Sequence, residues 1–164
     1  MRRINILLLG FGMILAGCSN KESVKEVEAY KAEDVPFEAE SGRVTILFED
    51  PLFDDGAITD GIIDVIVLAK KLDPAANYEI SLRGDNKQGV VFGPIENVEL
   101  RFGTMVGETL FQPNEQGELY VSMKNPLRII SEAKEIRVIV TEGGKEVLRT
   151  EPFKVSKKLR NRGN

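Results

Sequence analysis

The sequence predicts an all-β fold, a single antiparallel β-sandwich of seven to eight strands. Three observations carry that expectation. From Phe37 onward apolar residues recur with a period of two, turn-forming residues separate the runs, and no long stretch shows a convincing helical period.

Val44, Ile46 and Phe48 alternate with Thr45 and Leu47, which marks the first strand. Residues 62–69 (IIDVIVLA) are apolar on both faces. Their β-branched content and the preceding Gly61 favour a central strand, with a helix as the alternative. Tyr78, Ile80 and Leu82 alternate with Glu79, Ser81 and Arg83, and Val98, Leu100 and Phe102 with Asn97, Glu99 and Arg101. Leu119, Val121 and Met123 alternate with Tyr120, Ser122 and Lys124, and Ile136, Val138 and Val140 with Arg137, Ile139 and Thr141. One apolar and one polar face per strand is the pattern of antiparallel sheets on a shared core. Val65, Val67, Ile80, Leu82, Val121, Val138 and Val140 are therefore expected to face inward.

Asp73-Pro74 is expected to turn the chain between the second and third strands, and Asn114-Glu115-Gln116-Gly117 to form a hairpin. Gly143-Gly144 fits a two-residue hairpin turn with positive φ at both positions. A last strand should run through Val147 towards Phe153 and Val155. Many short strands with such turns suggest a sandwich of immunoglobulin-like type.

Ahead of this domain lies a leader. Arg2 and Arg3 precede residues 4–14, which are nearly all apolar, and Leu15-Ala16-Gly17-Cys18 follows. A charged start, a short apolar run and a small-residue cleavage site make a secretory signal peptide; the run falls short of the roughly 20 residues of a spanning helix. The tetrapeptide resembles the lipobox of bacterial lipoproteins. That resemblance implies cleavage before Cys18, acylation of its sulfur and anchoring on the extracytoplasmic face of a membrane, since more than one acyl chain suffices for stable retention. The expected organisation is a signal peptide at 1–17, a lipidated Cys18 opening a polar tether at 18–36, a sandwich at 37–156 and a basic tail at 157–164.

The tether (residues 19–36) is rich in Lys and Glu and could span at most roughly 60 Å. Val24, Val27 and Tyr30 recur at three-residue spacing, enough for a turn or two of frayed amphipathic helix. Removing the leader takes the 22 basic residues to 20 against 26 acidic ones, a net charge of −6. An acidic domain is not suited to nucleic acid. The tail reverses the bias: Lys154, Lys157, Lys158, Arg160 and Arg162 follow Glu151 without an acid.

Composition narrows the chemistry. The chain has no His and one Cys, which removes His-based triads, His-ligated metals, internal disulfides and thiolate-rich zinc sites. No GxGxxG, Walker loop, HExxH or GxSxG is present. One constellation remains. Glu49, Asp50, Asp54, Asp55, Asp60 and Asp64 lie between Arg43 and Lys70 with no basic residue among them. Carboxylates are hard ligands suited to Ca²⁺, with Asp50, Asp54, Asp55 and Asp60 as candidate ligands, although the spacing is not that of an EF-hand. A solvated acidic loop accounts for the same residues. No cofactor is expected.

Tyr78-Glu79-Ile80-Ser81-Leu82-Arg83-Gly84-Asp85 is similar in phase to the FHVHxFGD strand of copper/zinc superoxide dismutases, and Leu72-Asp73-Pro74 resembles the LxxG turn before it. Gln116-Gly117, Pro126-Leu127 and Arg137-Val138-Ile139-Val140-Thr141-Glu142 resemble that family's NG, DPL and RxxVVHE segments. The resemblance implies a related sandwich from which metal chemistry is lost. Glu79, Ser81 and Thr141 stand where the family places copper-binding histidines, and its paired cysteines are missing. The sequence reading is thus a membrane-anchored extracytoplasmic lipoprotein whose sandwich is a non-catalytic binding or structural module. Its partners are the membrane, through Cys18, and an envelope protein or ligand. The Lys/Glu-rich tether favours a Gram-positive envelope, and a Gram-negative outer membrane is the other location. A calcium or small-ligand protein using residues 49–64 is the first alternative, and an enzyme with a carboxylate pair is the second.

Overall fold

Alternation along each strand divides the chain into an inward apolar set and an outward polar one, and two sheets close over the inward set. The computed structural model describes residues 24–27, 31–49, 53–54, 57–58, 61–93, 97–126 and 132–155. The leader, Cys18 and residues 157–164 lie outside the described residues.

The elements run β1 (Lys25–Val27), β2 (Glu33–Pro36), a 3-10 turn (Glu38–Glu40), β3 (Gly42–Glu49), β4 (Phe53–Asp54), β5 (Ala57–Ile58), β6 (Ile62–Ala69) and β7 (Tyr78–Gly84). They continue with β8 (Gly89–Val91), β9 (Val98–Phe102), β10 (Thr104–Met105), β11 (Leu110–Gln112) and β12 (Leu119–Pro126). The last are β13 (Ile136–Glu142), β14 (Lys145–Arg149) and β15 (Phe153–Val155). One sheet has the order β2-β3-β6-β12-β9. The other has the order β1-β15-β13-β7-β11-β10, with β8 also on β7 and β14 also on β13. β4 and β5 form a separate ribbon.

The all-β sandwich expected from the sequence is the observed architecture. β6 occupies the expected residues 62–69 and lies between β3 and β12. Ile63, Val65, Val67 and Ala69 are buried from it, facing Ile80, Leu82, Val138 and Val140 of the second sheet in one core with Phe48, Phe92, Phe111 and Phe153. Every residue expected to face inward is at most 1% exposed. At roughly 1.5–3 kcal/mol for each large apolar side chain taken from water, this layer is the main source of stability.

Strand number departs from the expectation. The two sheets hold thirteen described strands, because runs read as single strands break or gain short neighbours. The last run divides at Thr150-Glu151-Pro152 into β14 and β15, since Pro152 has no N–H to offer a ladder. β8 and β11 lie one after the other along the same edge of β7.

The turns follow their chemistry with one correction. Gly143 and Gly144 take φ of 54° and 81° and join β13 to β14 with Glu142 opposite Lys145, a two-residue hairpin as expected. Asn114-Glu115-Gln116-Gly117 does turn the chain, with Asn114 Oδ1 accepting from the N–H groups of Gln116 and Glu118 at 3.1 and 2.8 Å. It is no hairpin, however. β11 belongs to one sheet and β12 to the other, so the turn is an arch across the sandwich. Gly117 (φ 72°) makes the crossing possible, because a Cβ there would stand 2.4 Å from the Leu72 carbonyl oxygen.

Part of the segment read as a tether belongs to the domain. β1 pairs in parallel with β15, and β2 pairs antiparallel with β3. Val27 and Val35 are at most 1% exposed. Lys25 ties the two strands together, its Nζ lying 2.6 Å from the Asp34 carbonyl oxygen and 3.0 Å from Glu33 Oε2. Alternation inside this charged segment is carried by single valines, too sparse a signal to distinguish from a solvated spacer.

Candidate functional site

The acidic segment singled out by composition connects β3 to β6 through the β4–β5 ribbon. Asp50, Asp55 and Asp60 lie outside the described residues, and Asp54 is described only through the backbone of β4. The two ends of the segment are in the sheet itself: Glu49 pairs with Ile62 and Leu47 with Asp64. Asp64 faces Lys124 across the β6–β12 pair, with Oδ2 4.0 Å from Nζ. At the other charged extreme, Lys154 reaches Glu26 at 3.5 Å, and Lys157, Lys158, Arg160 and Arg162 lie outside the described residues.

The structure draws together a different set of side chains, on the outer face of the sheet built around β7 and β13. Their antiparallel register opposes Glu79 to Thr141, Ser81 to Ile139 and Arg83 to Arg137. Glu79, Ser81 and Thr141 thus share one face. The face is graded in charge. Glu79 and Thr141 lie towards one end, where Thr141 also opposes Glu146, and the arginines lie towards the other.

Two guanidinium groups directly opposed on neighbouring strands repel, typically by about 0.2–1 kcal/mol. Arg137 is compensated. Its Nη1 donates to the Thr150 carbonyl oxygen at 3.0 Å and lies 3.7 Å from Glu38 Oε1. Glu38 also receives Arg149 Nε at 2.9 Å. Arg83 is placed differently: its Nε donates to Ser81 Oγ at 3.1 Å, and among the described residues no carboxylate lies within ion-pair distance of it.

The four-residue connection from β7 to β8 builds a wall beside Arg83. Gly84 N–H donates to the Gln88 carbonyl at 2.8 Å, Asn86 Oδ1 accepts from Gln88 N–H at 3.1 Å, and Lys87 adopts φ 67°. The loop is fastened to the start of β13. Asp85 N–H donates to the Glu135 carbonyl, and Asp85 Oδ1 accepts from Lys134 N–H at 2.9 Å. A groove of about 400 Å³ results, lined by Ser81, Arg83, Gly84, Lys87, Gln88, Gly89, Val90 and Val91. A smaller one of about 240 Å³ shares Arg83 and Gly84 and is bounded by Asp85, Glu135, Arg137 and Ile139. The larger groove contains two cations and no acid.

Sequence reasoning placed Arg83 and Arg137 on the polar phase of their strands but did not bring them together. The signal available was the two matching RxxV-type and xLRG phases; the register that makes them neighbours is a long-range property. Comparison with family models, curated proteins and solved structures finds no match for the chain.

Proposed function

We propose that the chain is a membrane-anchored extracytoplasmic lipoprotein whose β-sandwich works by contact, as a non-catalytic binding or structural module. The observation that carries this reading is Leu15-Ala16-Gly17-Cys18 directly behind a basic start and the apolar residues 4–14. The domain's strand-built outer face, with a groove beside Arg83 and Lys87, supports the binding part of the reading. The partners in this reading are the membrane, through Cys18, and an envelope protein or ligand, on a Gram-positive surface. Intact-mass analysis of the membrane-extracted protein tests it. The expected mass is that of residues 18–164 plus acyl groups confined to the N-terminal peptide. A mass matching the unmodified full chain overturns it.

A further inference from the structure

We infer that the groove between β7 and the β7–β8 loop is a binding site for a phosphate group. The inference deepens the binding-module reading and rests on it, while anchoring through Cys18 is tested separately. Three observations converge. The groove wall presents Arg83 and Lys87 without a carboxylate in its lining, in a chain whose net charge is −4. Among the described residues Arg83 spends one donor on a neutral hydroxyl, Ser81 Oγ, and its side chain lines the groove. Ser81 itself is 2% exposed, so that hydrogen bond is anchored in the sheet and not in a mobile side chain.

The chemistry selects the ligand. A planar guanidinium offers paired donors matched to two oxygens of one phosphate, and an ammonium group adds a point charge from the side. Arg83 and Lys87 together balance a dianion. Val90 and Val91 give the same groove a partly apolar wall, suited to the carbon skeleton of a phosphomonoester. The loop bonds between Asp85 and the start of β13 hold Lys87's turn in place before any ligand arrives, which lowers the ordering cost of binding.

The test is calorimetric titration of the full mature chain in neutral detergent with inorganic phosphate and with glycerol phosphate, in 0.15 M sodium chloride. Saturable binding is expected, weakened about tenfold or more by Arg83→Gln and by Lys87→Gln, as the loss of a charge-assisted contact implies. Arg101→Gln, on β9 of the other sheet, should leave it unchanged. Doping the micelles with phosphatidic acid separates the sources. Displacement of inorganic phosphate assigns the group to a lipid headgroup, and undisturbed binding assigns it to a soluble phosphate. Absence of saturable binding at this ionic strength, or equal weakening by Arg101→Gln, overturns the site.

Discussion

Tyr78 shows how one side chain serves both core and turn. Its ring is 2% exposed, while its hydroxyl oxygen accepts from Asp73 N–H at 2.9 Å and so holds the Asp73-Pro74 turn. Burial pushes its pKa above the ordinary value of 10.0, and the nearby Glu142 and Asp73 charges add to the rise against the opposing backbone hydrogen bond. The folded state therefore keeps the phenol proton more tightly than the unfolded chain does. Stability from this group is complete below about pH 10 and is lost as pH rises through the folded value. Denaturant melts from pH 8 to 11 should show a decline in wild type that is shallower in Tyr78→Phe. Thr150 does comparable work at the break between β14 and β15. It is 0% exposed, and its Oγ1 accepts from Val138 N–H at 3.1 Å where the ladder changes strands. Thr150→Val keeps the shape but strands that N–H, and should cost about 1–3 kcal/mol in a chemical melt. At the acid end, the ammonium groups of Lys31 and then Lys25 hold the Glu33 carboxyl below its ordinary value. Its contribution is present above about pH 4.5 and fades as pH falls through the lowered folded value.

At the scale of elements, the N-terminal strands separate two accounts of residues 18–36. A solvated spacer would be indifferent to Val27→Ala. With Val27 buried beneath the β1–β15 pair, the same change should cost about 1–3 kcal/mol, whereas Glu26→Ala on the exposed side should change little. Guanidinium melts of the two variants check this. The long strands were readable in advance because five or more alternating residues write their phase into the sequence; β6, β7, β12 and β13 all lie where alternation puts them. Short pieces such as β8 and β11 carry too few residues to show a period, and they form because β7 offers an open edge. Turn chemistry at Asn114 and Gly117 was legible, but local hydrogen bonds do not state which sheet receives the next strand. The grooved site escaped for a related reason: Arg83 and Lys87 are ordinary wet-face residues until the β7–β8 loop folds one beside the other.

Across the whole molecule, stability rests on a single layer of inward-facing side chains shared by both sheets. Ile80→Ala and Val138→Ala should each cost about 1–4 kcal/mol, and Glu79→Ala, on the opposite face of β7, should be nearly silent. Equal losses in a denaturant melt would contradict the phase of the sandwich. With no His in the chain, these differences should hold nearly constant from pH 5 to 8. An apolar interior of this kind leaves the two outer faces free to differ, and they do. One displays the graded charges around Arg83 and Arg137, the other an aromatic pair in which Phe102, 46% exposed, packs edge-on against Tyr120 at 6.1 Å. Among the described residues no helix is long and apolar enough to span a bilayer. In the proposed function, retention depends on Cys18. Membrane fractionation of cells expressing wild type and Cys18→Ala tests that dependence most directly. Wild type should sediment with membranes and resist high salt, and the variant should lose acylation and cleavage before residue 18 together. A Cys18→Ala chain that is processed at the same bond and retained as firmly as wild type would contradict the account.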